Sequence, residues 1–207
     1  TTLFRSQSLF LCKTIKEDIN ISHIPVILLT ARDDRQSQIS GYKNGADGYL
    51  SKPFEVEMLM ELIRNRLKNR EYTKKRYLNA GLIPTPEEST ISLTDETFLI
   101  KLNSIIQENI ENSNLGIQFI CQEVGLGRSS LYNKLKALTG MGANEYISKL
   151  RIEKAITLIS GTDMPFSEIA EKTGFTTPSY FSTAFKQYTG ETPSQYKERK
   201  KKGLAGK

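Results

Sequence analysis

One unit is written twice in this chain, and that duplication constrains the fold more than any other feature. Residues 120–147 read ICQEVGLGRSSLYNKLKALTGMGANEYI, and residues 169–197 read IAEKTGFTTPSYFSTAFKQYTGETPSQYK. Gly125 pairs with Gly174, and an apolar residue follows each, Leu126 and Phe175. After an inserted residue, Leu131 pairs with Phe181, Leu135 with Phe185, Lys136 with Lys186, Thr139-Gly140 with Thr189-Gly190, and Tyr146 with Tyr196. A sequence that repeats itself repeats a supersecondary unit, and two copies make a duplicated module rather than a solenoid.

The apolar spacing predicts that residues 96–207 are all helix. Phe98, Leu99, Leu102, Ile105, Ile106 and Ile110 form one stripe, as in a helix with one buried face. Thr94 is the expected N-cap, with Asp95 and Glu96 at the positive end of the helix dipole. A short helix over 117–123 stops at Gly125. A helix over 128–138, with Ser129 or Ser130 near its cap, turns Leu131, Leu135 and Leu138 inward. A long helix over 144–159 buries Ile147, Leu150, Ala155, Leu158 and Ile159. The pattern then returns: 166–172 stops at Gly174, 179–188 turns Phe181 and Phe185 inward, and 194–202 closes the segment. A short helix, a glycine corner and a second helix with polar outer positions is the helix-turn-helix arrangement. Its first helix braces the second, which offers its N-terminal half to the major groove of DNA.

Two such units joined by one long helix resemble the AraC/XylS family of transcription regulators, with YISKLRIEKAITLI and FKQYTGETPSQYK closest to the family pattern. The resemblance covers the whole segment 96–207. Carried over by position, it implies base contacts from Ser129, Ser130, Tyr132 and Asn133 in the first unit and from Pro178, Ser179, Tyr180 and Thr183 in the second. It implies phosphate contacts from Arg128, Lys134, Lys136 and Lys186. Asn133 carries the most information, because an asparagine pairs bidentately with adenine whereas Ser and Thr discriminate poorly. Tyr132 has the alternative of packing across the groove wall, and Arg151 that of an ion-pair partner inside the protein. Lys197 and residues 199–202 either graze phosphate or stay disordered. The two recognition helices are expected to enter successive major-groove faces about 34 Å apart, bending the duplex if that spacing is tight. Affinity should fall steeply with salt. Tyr132 and Asn133 correspond to Ser182 and Thr183, so an asymmetric bipartite site is expected, read without obligatory dimerisation.

The chain before the linker reads differently. Helical spacing of Leu9, Leu11, Cys12 and Ile15 ends before SHIP. The run IPVILL at 24–29 suits a parallel strand buried on both faces. A polar helix over 33–44, a short strand over 48–51 and a helix from Glu55 with Met58, Leu59, Leu62, Ile63 and Leu67 on one face follow. Alternating helices and strands mean an α/β sheet with crossovers. IPVILLTA followed by GADGYLSKPF resembles the last half of a response-regulator receiver domain, over about a third of the chain. That resemblance implies Thr30 as the hydroxyl and Lys52 as the cation that meet an acyl phosphate at the carboxyl ends of parallel strands, with Tyr49 as the switch aromatic and Lys52-Pro53 as a cis bond. The phospho-acceptor Asp and the acidic metal ligands of a receiver belong before Leu11 and are absent, and Asp33, Asp34 and Asp47 lie in the wrong places to replace them. Mg2+ is therefore expected only in an intact receiver, and this fragment is expected neither to be phosphorylated nor to fold well around an unpaired strand edge.

The expected fold class is thus a mainly α domain of two helix-turn-helix units joined by a long helix, preceded by an incomplete α/β, flavodoxin-like receiver fragment. The expected boundaries are 1–69 for the receiver half, 70–95 for a linker broken by Gly81, Pro84 and Pro86, and 96–207 for the DNA-binding domain. Lys74, Lys75 and Arg76 could touch phosphate, though a solvated linker face suits them better. TTLFRS at 1–6 is what a common sequencing adapter encodes in frame, and is set aside as an artefact, with the natural chain expected to be cut near Gln7.

A net charge of +6 suits an anionic partner. Cys12 and Cys121, with His23 as the sole histidine, make no zinc set and no nucleophile–base pair; neither a catalytic residue nor a metal site is expected, and the cysteines are expected to be reduced core residues in the cytoplasm. No run is long and apolar enough to span a bilayer, so no membrane contact is expected within this fragment, whatever anchors the parent chain.

The expected partner is double-stranded DNA. The family resemblance adds RNA polymerase, a second copy of the chain as a homodimer, and a histidine kinase region in the parent chain of a hybrid two-component protein. The competing readings are a separate two-domain response regulator, a phosphotransfer enzyme, and a helical protein-interaction module; the last conflicts with the polar outer positions of 128–138.

Overall fold

The computed structural model describes residues 2–31, 34–80 and 92–204, with side chains described for 7–31, 34–72 and 92–202. The side chains of TTLFRS, Asp33, the side chains of Lys74, Lys75 and Arg76, and the linker breakers Gly81, Pro84 and Pro86 lie outside the described residues. The described chain divides into two compact units, residues 1–100 with 129–140, and residues 101–128 with 141–207. This division differs from the three sequence segments: the helix after Arg128 is grouped with the first hundred residues. A buried cluster of polar side chains, described below, lies within the first unit.

The first unit opens with α1 (Thr2–Glu17), followed by turns and β1 (Ile27–Thr30). Helix α2 (Arg35–Lys43) starts where the Asp34 carboxylate accepts hydrogen bonds from the Ser37 N–H (2.8 Å) and hydroxyl (2.7 Å). Strand β2 (Gly48–Ser51) lies parallel to β1, in register from Ile27 opposite Gly48 to Thr30 opposite Ser51. The Lys52-Pro53 bond is cis, and α3 (Val56–Ala80) runs on through residues 70–76.

Two expectations for this unit are corrected. The strand begins at Ile27 rather than Ile24, and it is not buried on both faces: Ile24 and Leu29 are both more than two-fifths exposed. The stripe on α3 is likewise open, with Met58 and Leu67 exposed. A strand run of this composition is made for a sheet covered on both faces, and the two described strands pair only with each other.

Helix α4 (Leu93–Glu108) carries the predicted stripe, with Phe98, Leu99, Leu102, Ile105 and Ile106 all buried and Ile110 just beyond it. Its cap is Ser92, whose hydroxyl accepts from the Asp95 N–H at 3.2 Å, and not Thr94. Thr94 sits inside the first turn and donates its hydroxyl to the Lys16 carbonyl at 2.9 Å. Then come α5 (Ile117–Val124) and α6 (Arg128–Thr139). Because α6 begins at Arg128, Ser129 and Ser130 lie within its first turn and do not cap it.

In the second unit, α7 (Ala143–Gly161), α8 (Phe166–Lys172), α9 (Pro178–Thr189) and α10 (Pro193–Leu204) enclose a core of Ile152, Ala155, Ile159, Ile169, Ala170, Phe175, Phe181, Phe185 and Tyr196. Phe181 lies 5.4 Å from Phe175 and 5.7 Å from Phe185, and Phe185 lies 5.6 Å from Tyr196, measured between ring centres. Rings at such distances add to the roughly 1.5–3 kcal/mol that burial of each large apolar side chain contributes. Both cysteines are buried and free. No helix among the described residues is long and apolar enough to cross a membrane.

Candidate nucleic-acid interface

The second unit shows how a recognition helix is aimed. Helix α8 ends at Thr173, and Gly174 turns the chain at φ +72. The Thr177 hydroxyl then caps α9, accepting from the Tyr180 N–H at 3.1 Å, and Pro178 occupies the first turn, where a missing N–H costs nothing. Phe181 and Phe185 are fully buried. At about 100° per residue, their burial turns Ser179, Thr183 and Lys186 to the opposite face, and all three are exposed. Tyr180 stands on the flank, edge-on to Phe175 at 5.7 Å yet 57% exposed. The Thr183 hydroxyl donates to the Ser179 carbonyl at 3.1 Å, leaving its lone pairs outward.

The first helix-turn-helix copy repeats this geometry with different chemistry. Gly125 closes α5 at φ +73, almost the value at Gly174. Leu131 and Leu135 are buried in α6 as Phe181 and Phe185 are in α9. Ser129, Asn133 and Lys136 are exposed and hold the positions of Ser179, Thr183 and Lys186. Arg128, Tyr132 and Pro178 are also exposed, and Ser130 is half-buried. The duplication continues beyond the recognition helices. Gly140 and Gly190 turn at φ +79 and +83. Thr139 and Thr189 each donate their hydroxyl to the carbonyl four residues earlier at 2.8 Å. At the start of α7 the Gly142 N–H donates to Glu145 at 3.3 Å, as the Thr192 N–H donates to Gln195 at 2.9 Å before α10.

Lys134 does not fit the phosphate-binding role expected of it. Its side chain is fully buried and its ammonium pairs with the Asp95 carboxylate, donates to the Ser22 hydroxyl at 2.7 Å and lies 5.1 Å from the centre of the Phe98 ring. Burial lowers its pKa against the opposing pull of Asp95. Asp95, expected as a helix-dipole residue, is one half of this pair. The signal that could have found it is the duplication itself: in register, Lys134 stands where the second unit has Ala184, a position packed against the core.

Other basic side chains are also committed within the protein. Arg151 donates to the Asn112 carbonyl at 2.6 Å and lies over Phe175, so it is a structural residue, though not through an acidic partner. Lys197 pairs with Asp163 at 3.3 Å and Arg199 with Glu191 at 2.7 Å, and α10 is helical through the basic tail.

In the receiver segment, Thr30 and Lys52 are brought together at the carboxyl ends of adjacent strands, where the Lys52 N–H donates to the Thr30 carbonyl. Lys52 is exposed, and Tyr49 lies two pairs back from the Thr30–Ser51 pair, opposite Leu28. Asp34 is occupied as a helix cap and Asp47 as an acceptor for the Val26 N–H and the Lys16 ammonium, each at 2.7 Å.

The response regulator receiver domain family matches residues 8–64, and the helix-turn-helix domain family matches residues 120–199. A protein of Formosa agariphila named histidine kinase P4 is 42% identical over 189 residues, covering 91% of this chain and 14% of that protein. The transcriptional regulatory protein YesN of Bacillus subtilis is 31% identical over 122 residues, 58% of this chain and 33% of its own length. The solved C-terminal domain of AraT, a response regulator from Geobacillus stearothermophilus, is 31% identical, with a TM-score of 0.47 over 49% of this chain and 84% of that one. The chain thus spans a seventh to about a third of the length of these two curated relatives. With a response-regulator receiver segment at 8–64 and a helix-turn-helix segment at 120–199 matched in that order, the chain carries a receiver segment followed by an AraC-type helix-turn-helix DNA-binding segment.

Proposed function

We propose that this chain is the output end of a hybrid two-component protein, in which a histidine kinase region upstream signals through a receiver to a DNA-reading module. Similarity that runs through both segments of a protein named as a histidine kinase supports the hybrid arrangement. A separate response regulator phosphorylated by another protein is the second reading, favoured by the similarity to AraT and YesN.

The module reads a bipartite, asymmetric site. The observation that carries this is the shared register of two outward faces with unlike chemistry, Ser129, Asn133 and Lys136 against Ser179, Thr183 and Lys186. Asn133 offers a bidentate donor–acceptor pair to an adenine edge, worth about 1–3 kcal/mol of discrimination. Thr183 offers a hydroxyl and a methyl. Lys136, Lys186 and Arg128 meet phosphates, and RNA polymerase and a second copy of the chain are the further partners of such a regulator.

The test is a gel shift and footprint of the full chain on a duplex selected from random-sequence DNA. Asn133→Ala should lose preference at one base pair in one half-site and keep the other half-site intact. Binding that is sequence-independent throughout and indifferent to Asn133→Ala would sink the proposal.

A further inference from the structure

A small cavity inside the first unit gathers more positive charge than its own walls neutralise. It measures about 50 Å³, and Lys16, His23, Arg66, Arg70 and Ser92 line it together with Asp47 and Asp95. About 10–15 Å³ of such space holds a water, so this cavity has room for a few waters or one small ion, and not for a nucleotide.

Both carboxylates are already engaged. Asp47 accepts from the Val26 N–H and pairs with Lys16, each at 2.7 Å. Asp95 pairs with Lys134 and accepts from the Ser22 hydroxyl at 2.8 Å. Lys16 is engaged too, since its ammonium also donates to the Ile24 carbonyl at 2.8 Å. That leaves Arg66 and Arg70, both half-buried on α3, and neither is paired with a carboxylate among the described residues. Side chains four apart on a helix share a face, and two planar forks of N–H donors suit an oxyanion better than any other side-chain pair.

Two further donors complete the set. The Ser92 hydroxyl accepts from the Asp95 N–H, which leaves its own proton to donate, at the positive end of α4. The His23 Nδ1 is buried and has no hydrogen-bond partner in the protein, a state that few buried polar atoms keep. With its proton on Nδ1 the ring donates to an oxygen.

We infer that this cavity binds one free tetrahedral oxyanion of the phosphate or sulfate type, held by the Arg66 and Arg70 guanidiniums, the Ser92 hydroxyl and the His23 ring. Two uncompensated cations against a dianion balance the charge of the cavity, and partial burial strengthens each contact. The site is independent of what α6 and α9 read on DNA. Its ion is sensed by the His23 ring. Burial first and the Lys134 charge next lower the pKa of that ring, Asp95 opposes them, and Arg70 and Lys16 add to the lowering. A bound dianion works against those cations and raises the pKa, and by reciprocity acid tightens binding.

The experiment follows the ring of the sole histidine by NMR in the full chain, labelled with 15N-histidine. Sodium sulfate, whose charge is constant across the pH range used, and inorganic phosphate are titrated against sodium chloride of equal ionic strength. Sulfate and phosphate should each give a saturable ring shift that chloride does not, and the His23 pKa should be higher in sulfate. Arg66→Gln and Arg70→Gln should each weaken binding roughly ten- to a hundredfold, as loss of a charged hydrogen bond does. Arg64→Gln, on the same helix but paired with Glu61, should leave it unchanged. If an arginine variant fails to fold, the parent chain decides the matter through the contrast with chloride. A ring shift that follows ionic strength alone, or one that persists in folded Arg66→Gln and Arg70→Gln, means that the cavity holds water only and overturns the site. Duplex DNA that moves the ring more than either free ion would assign the guanidiniums to the DNA backbone, and overturns it equally.

Discussion

Lys134 is the residue at which sequence and structure part most sharply, and the reason is physical. On a recognition helix a lysine reads as a phosphate contact, because an ammonium on an exposed face has no better partner. A buried ammonium needs one, and Asp95 supplies it from 39 positions away, a separation that no local pattern reveals. A buried ion pair adds little net stability over an apolar pair of similar size, yet breaking one half leaves an uncompensated charge and costs about 3–5 kcal/mol. Lys134→Ala should therefore lower the urea midpoint of the chain by about that amount of stability, whereas Lys136→Ala should leave it within about 0.5 kcal/mol, the usual effect of a surface change. Equal midpoints for the two variants would contradict the buried pair. The outward residues were legible because their neighbours were: once Leu131 and Leu135, or Phe181 and Phe185, are assigned inward, Asn133 and Thr183 have nowhere else to point.

At the scale of elements, the duplication was readable nearly to the residue, because glycine corners and apolar triplets are local signals. Helices 166–172 and 117–124 fall within a residue of expectation. The caps were not so readable: Thr94 and Ser129 are good cap residues by type, but Ser92 and the position before Arg128 set the true starts. The matched corners also differ in a way that only packing reveals. A Cβ on Gly125 would meet nothing within 4 Å, while one on Gly174 would fall 2.2 Å from the Ile110 carbonyl oxygen and 2.8 Å from the Arg151 guanidinium. Gly125→Ala should cost about 1–2 kcal/mol, the strain of a left-handed residue alone. Gly174→Ala adds a backbone collision to the same strain and should cost clearly more. Thermal melts of the two variants check this, and equal losses would mean that the close approach at Gly174 relaxes freely.

At the scale of the whole molecule, the two units carry opposite pH sensitivities. In the first, burial and then the Lys134 charge hold the His23 pKa below 6.5, and its Nδ1 has no hydrogen-bond partner. Protons bind the unfolded chain more readily there, so stability is present above pH 6.5 and is lost as pH falls. In the second, burial pushes the Tyr146 phenol, which donates to Asn103 at 2.9 Å, up to about 12 from 10. That stability is complete below pH 10 and is lost as pH climbs toward 12, an effect of about 2–3 kcal/mol. Hydrogen exchange across the pH range should therefore show the first unit opening early on the acid side and the second early on the alkaline side. His23→Gln and Tyr146→Phe should blunt one arm each, and a single pH profile shared by both units would contradict it. The division into units was the least legible property of all, because the Ser22–Asp95–Lys134 contacts inside the first unit join residues far apart in sequence and no composition boundary marks them. That cluster has no counterpart in the second copy, where Ala184 stands in place of Lys134. The twin helices are therefore fixed by unlike forces: a buried ion pair pins α6 from within, while α9 rests on aromatic packing, so a single buried side chain at matched positions sets the two copies apart.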